Sequence, residues 1–183
     1  MQKDLNLRID ELKKSQKICI FGCPGSGKST LCKELSSLLN LDAYHLDNIY
    51  WKPNWVSICK DEFDAELHKI MIKDNWIIDG NYNRTLDLRL ENSEFIIYLD
   101  MNRFTCLQGA IKRYFMYKNK SRDDITEGCK EALDKEFIVY IWNFNKKHRD
   151  NYYQKLSDIN KPYLVLKSRK EVKKLIKTLK NNA

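Results

Sequence analysis

Proline and glycine are scarce in this chain, three and six in 183 residues. That leaves little material for linkers or low-complexity segments and confines expected disorder to the ends. Long apolar runs are missing too. None approaches the roughly 20 residues a membrane span needs, and Met1 to Gln16 carries charges where a secretory signal has its apolar stretch. The expectation is a cytoplasmic protein with no membrane partner. The six cysteines (Cys19, Cys23, Cys32, Cys59, Cys106, Cys129) contain no CxxC pair, and with the three histidines far apart they form no cluster at metal-ligand spacing. Free, reduced thiols are expected. What is present, 43% hydrophobic and 32% charged residues, fits one soluble domain with a sizeable core.

The net charge of +8 is uneven. Asn145 to Ala183 holds twelve Lys and Arg against three Asp and Glu, which is +9 and leaves −1 for everything before it. Such a segment suits either a solvated basic helix or a face that attracts nucleic acid.

Five short apolar runs read as buried strands: Lys17 to Phe21, Ala43 to Leu46, Trp76 to Asp79, Phe95 to Asp100 and Tyr163 to Lys167. Helical stripes lie between and after them: Leu31, Leu35, Leu38 and Leu39; Leu107, Ala110, Ile111 and Tyr114; Leu133, Phe137, Tyr140, Ile141 and Phe144; and Val172, Leu175, Ile176 and Leu179. Strands separated by helices imply parallel pairing with right-handed crossovers, hence an α/β sheet covered on both faces. Ligands in such sheets bind at the carboxyl ends of the strands, where Gly22, Asp47, Asp79 and Asp100 fall. Residues 1–16 suit a helix or a strand and are set apart as an N-terminal extension to a single domain over 17–183.

Gly22, Gly27, Lys28 and Ser29 fit G-x-x-x-x-G-K-[ST], the phosphate-binding loop. Inward-turned amides form an anion-binding concavity, the following helix adds its positive end, Lys28 reaches the β and γ phosphates, and Ser29 can ligand Mg²⁺. The whole stretch Gly22, Cys23, Pro24, Gly25, Ser26, Gly27, Lys28, Ser29 and Thr30 is therefore assigned to ATP. Cys23 fits the turn as a small residue, or could be held as a thiolate by Lys28 and the helix-start amides.

Asp47 is placed to accept a proton from an attacking hydroxyl or to help hold magnesium, or else to cap a helix or turn. His45, two residues earlier, would point the same way in a strand. Asp79 ends the third apolar run and suits magnesium held through water, while Arg84 suits bidentate phosphate contact. Lys112, Arg113, Lys118, Lys120 and Arg122 crowd one short segment. Arg113 and Arg122 are the candidates for charge stabilisation as the phosphoryl group moves. Tyr50, Trp51 and Trp55 cluster around a proline and suit either stacking on a base or sugar, or a satellite core.

In the order "GCPGSGKST", "YHLDNIYWKPNWV", "WIIDGNY", "EGC" and "FIVYIWNF", the chain resembles the adenylate-kinase-related branch of phosphate-loop proteins. It is most similar there to bacterial DNA topology modulation proteins. The resemblance implies a three-layer P-loop NTPase fold with a five-stranded parallel sheet. It also implies an acceptor-binding region over about 47–76 and a short lid over about 113–124. By it, Gly22 to Thr30 bind ATP, Arg113 matches the arginine that opens a kinase lid, and Asp79, Gly80 and Arg84 match the "DGFPR" element, with the arginine shifted by one residue. The activity implied is ATP-dependent, Mg²⁺-dependent phosphoryl transfer to a small acceptor. The alternative is a DNA-associated ATPase, although no reader motif for nucleic acid is visible.

Overall fold

The computed structural model describes residues 2–118, 124–129 and 131–181. Helix α1 (Gln2–Lys14) leads into β1 (Lys17–Gly22) and α2 (Lys28–Leu39). β2 (Ala43–His45) is followed by a short helix α3 (Leu46–Tyr50), a hairpin of β3 (Trp51–Lys52) and β4 (Val56–Ser57), and α4 (Lys60–Met71). Then come β5 (Trp76–Asp79), α5 (Leu86–Asn92), β6 (Phe95–Leu99), α6 (Arg103–Tyr117), α7 (Lys135–Asp158), β7 (Tyr163–Leu166) and α8 (Arg169–Asn181).

All five apolar runs are strands of one parallel sheet, in the order β2-β5-β1-β6-β7. From β1 the chain passes to the edge strand β2, returns to β5 beside β1, then crosses to β6 and β7 on the other side, so a crevice opens at the carboxyl end of β1. The strands carry apolar residues on both sides because both sides are covered: Ile18 to Phe21, Trp76 to Ile78 and Phe95 to Tyr98 are fully buried. Each large side chain among them contributes about 1.5–3 kcal/mol. Cys32 of α2 reaches the Ile77 carbonyl at 3.7 Å on one face. On the other face Arg89 of α5 reaches Cys19 at 3.7 Å, and Tyr152 of α7 meets the Phe21 ring edge-on at 5.0 Å.

Several local expectations change. The N-terminal segment is helical, and Ile9 and Leu12 join the core where α1 meets α8. Asp47 does not continue a strand. The chain turns helical at Leu46, which places Asp47 in the first turn of α3 and parts it from His45. In α6 the buried side is Cys106 and Ala110, while Ile111 of the expected stripe is 42% exposed. Asp100 is buried at the end of β6 and ties down α7, accepting hydrogen bonds from Arg149 Nη2 (2.7 Å) and Tyr153 OH (2.8 Å). The hairpin of β3 and β4 is too short to announce itself by alternation.

Candidate phosphate-binding site

The loop after β1 is shaped by glycine where side chains would collide. Gly25 has φ +74°, and a Cβ there would fall 2.1 Å from the Cys106 carbonyl oxygen of α6. Gly109 of α6 faces it, its own Cβ position 2.1 Å from the Gly25 oxygen, so helix and loop touch backbone to backbone. Gly27 (φ +99°) is the N-cap of α2 and carries no side chain to satisfy the helix's first amides. Three other helices are closed by side chains: Cys59 caps α4, Asn102 caps α6 and Asp134 caps α7. The start of α2 is left with outward-facing donors and the positive end of its dipole.

Ser26 adds a second sign. Its hydroxyl is buried and has no hydrogen-bond partner among the described residues. A buried polar atom without a partner is costly, and a phosphate oxygen in the loop would remove that cost. The residues fit the polyphosphate of ATP on these grounds. Lys28, first residue of α2, donates to the Cys23 carbonyl at 3.1 Å, closing over the loop. Desolvation pulls its pKa below the ordinary ammonium range, opposed by the charges of Asp79 and Asp47, and Arg113 pushes the same way as burial. The Cys23 thiol, against Cys106 and buried, has its pKa pushed up, which disfavours a thiolate there. Pro24 and Ser29 are half-buried and Thr30 exposed along the same rim.

Around this loop stand residues the sequence did not single out. Asn81 Oδ1 accepts from the Gly22 amide at 2.9 Å, so the "DGNYNR" segment holds the first residue of the loop. Arg89 is wholly buried and donates to the carbonyls of Gly80 and Tyr82, each at 3.0 Å, fixing the turn that follows Asp79. Arg169, at the start of α8, donates to the Gly25 carbonyl at 2.8 Å and lies across Gly27. No local pattern flags these three. Arg89 reads as a surface residue of a short helix and Arg169 as one more cation in a basic tail.

Asp79 meets His45, its register partner across β2 and β5, with Nδ1 and Oδ1 2.6 Å apart and both side chains buried. With the carboxylate ionised, the ring donates. Asp47 is exposed, and Tyr82 OH donates to its Oδ1 at 2.8 Å. Tyr82 continues into an aromatic cluster: Tyr50 at 5.0 Å, Phe63 at 5.0 Å, and through Tyr50 to Trp51 at 4.8 Å. Trp55 meets Trp51 edge-on at 5.4 Å.

The guanidinium of Arg84 is exposed and bound bidentately to Asp64 of α4, both contacts at 2.7 Å. Arg113 is half-buried, and its Nε donates to Glu131 at 3.1 Å. Arg122 and Lys120 lie outside the described residues. Beyond them, the "EGC" segment docks on the β3–β4 hairpin. The Thr126 hydroxyl lies against the carbonyls of Asn48 (3.1 Å) and Trp51, Cys129 reaches Lys52 O at 3.2 Å, and Asn54 N donates to Gly128 O at 3.4 Å.

Comparison with known proteins agrees with this frame. A family model described as an AAA domain matches residues 18–108, the stretch from β1 into α6. Among solved structures, deoxyadenosine kinase from M. mycoides with bound dATP is 19% identical, with 91% of this chain and 98% of that chain covered and a TM-score of 0.59. Shikimate kinase from Bacteroides thetaiotaomicron is 15% identical over 92% and 98%, with a TM-score of 0.55. Shikimate kinase from Acinetobacter baumannii in complex with shikimate is 15% identical over 95% and 98%, at 0.54. None of the curated proteins matches the chain at a significant level. At these identities the likeness is one of fold: the chain has the α/β P-loop kinase fold.

Proposed function

We propose that the protein is an ATP-dependent and Mg²⁺-dependent kinase that phosphorylates a hydroxyl of a small, planar acceptor such as a nucleoside. One observation carries this reading: Gly25 and Gly27, both at positive φ, set the loop at the start of α2, whose first amides no side chain caps, beside the buried Ser26 hydroxyl and Lys28. The loop amides and Lys28 hold the donor phosphates, with Ser26 donating from below. Ser29 and the free oxygen of Asp79 are the residues that would hold magnesium. That ion neutralises charge between the donor phosphates.

Asp47 is the acceptor-side base. A hydroxyl must lose a proton as it attacks, whereas a phosphate acceptor arrives ionised. Tyr82 donates to Asp47 and so orients the carboxylate that takes that proton. The rings of Tyr50, Trp51 and Tyr82 beside it favour a flat acceptor, and the fold likeness to deoxyadenosine kinase supports the same choice. Arg113 stabilises the transferring group, and Arg122 is kept as its partner from the lid. The DNA-associated reading draws its support from the basic C-terminal segment. The lysines of α8 stand exposed opposite buried Leu175, Ile176 and Leu179, as the solvent face of an amphipathic helix does.

The test is a coupled ATP-consumption assay across nucleosides, nucleoside monophosphates and small hydroxy acids. Magnesium-dependent turnover that rises with a nucleoside and drops at least ~10²-fold in Lys28→Ala is expected. No stimulation by any acceptor would remove the proposal.

A further inference from the structure

Scattered in sequence, Cys32, His45 and Asp79 come together in the fold, with one ligand atom from each within 4.8 Å of the others and all three side chains buried. Three elements bring them there. His45 and Asp79 are the last residues of β2 and β5 and lie in register on adjacent parallel strands, so their side chains share a face. Cys32 is on α2, the helix covering that face, three residues and so about one turn beyond Ser29. Its thiol donates weakly to the Ile77 carbonyl, two residues before Asp79 on the same strand.

We infer that this cluster is a binding site for a borderline-soft divalent cation of the Zn²⁺ class, behind the phosphate loop and distinct from the magnesium position. The inference stands whether or not the protein is a kinase. Thiolate, imidazole and carboxylate together are the donor set of zinc and cobalt, whereas magnesium takes oxygen ligands and keeps its waters. Metal–ligand bonds of about 2.0–2.3 Å in a tetrahedron place ligand atoms roughly 3.3–3.8 Å apart. The 2.6 Å contact between His45 and Asp79 therefore opens on binding, and no ligand atom starts more than 4.8 Å from another.

On binding, the Cys32 thiol gives its proton to solvent, and the imidazole nitrogen that takes the metal gives up any hydrogen-bonding role it had. Three protein ligands leave a fourth position for water. Because Asp79 belongs to both sites, the soft cation withdraws that carboxylate from the phosphate side.

The experiment is a Co²⁺ titration of the full chain, kept reduced with a phosphine, followed by visible absorption and by competition with Zn²⁺ against a chromophoric chelator. One equivalent should bind with thiolate-to-cobalt charge transfer and tetrahedral ligand-field bands, and Zn²⁺ should erase both. Cys32→Ser should abolish the charge-transfer band and His45→Asn should weaken binding by about 100-fold, with thermal melting confirming that each variant is folded. No saturable binding to the wild type would overturn the site. So would an unchanged spectrum in Cys32→Ser, which would assign the metal to another thiol.

Discussion

The donor side and the acceptor side of the crevice are built from different materials. Around Gly25 and Gly27 the working groups are main-chain amides, held by a strand, a helix start and a glycine-to-glycine contact with α6. Around Asp47 they are side-chain contacts, Asp47 with Tyr82, Arg84 with Asp64 and Thr126 with the Trp51 carbonyl, drawn from α3, α4, the β3–β4 hairpin and loops. A backbone site needs a contiguous motif, because its geometry is a property of consecutive dihedral angles. A side-chain site can be drawn from anywhere in the chain.

If that contrast is right, single side-chain removals should cripple the acceptor side selectively. Asp47→Asn should lower kcat by about 10²–10⁴-fold while nucleotide affinity, read by a fluorescent ATP analogue, stays near wild type. An equal loss of affinity would erase the distinction. Lys28→Ala should lower turnover by about 10²–10³-fold yet leave measurable nucleotide binding, since the amides remain. Gly109→Ala should act on the donor side alone. Its methyl must displace the Gly25 carbonyl, so ATP affinity and folding stability should both fall, by about 1–3 kcal/mol, with the acceptor KM unchanged.

Thr126→Val removes a hydroxyl from the hairpin contact and should raise the acceptor KM about 5-fold, the equivalent of ~1 kcal/mol, in steady-state assays. The smallest effect concerns His148, which lies 3.3 Å from Asn83. Burial, helped by the Lys147 charge, lowers its pKa, so the unfolded chain takes up a proton there before the folded chain does. Stability is full above the unfolded value of about 6.5 and declines as pH falls below it. The melting-temperature gap between wild type and His148→Gln should therefore narrow from about pH 8 to about pH 5.

The same contrast explains what could be read from the sequence. The sheet was legible because strands buried on both faces are written as unbroken apolar runs, and Trp76 to Asp79 matches its strand end for end. The loop was legible because glycine, lysine and serine must stand at fixed spacing. The cluster of Cys32, His45 and Asp79 was not, since metal-ligand spacing along a chain says nothing of residues joined by strand register. The pairing of Arg84 with Asp64, twenty residues earlier, was hidden for a related reason, since it joins two separate elements. The switch from strand to helix at Leu46 was hidden because "LDNIY" offers too few residues to show a period.

Thr126, Gly128 and Cys129 meet the β3–β4 hairpin along one seam. On the hairpin side every partner in this seam is a main-chain group, so replacing the side chain of Trp51, Lys52 or Asn54 leaves the bonding atoms in place.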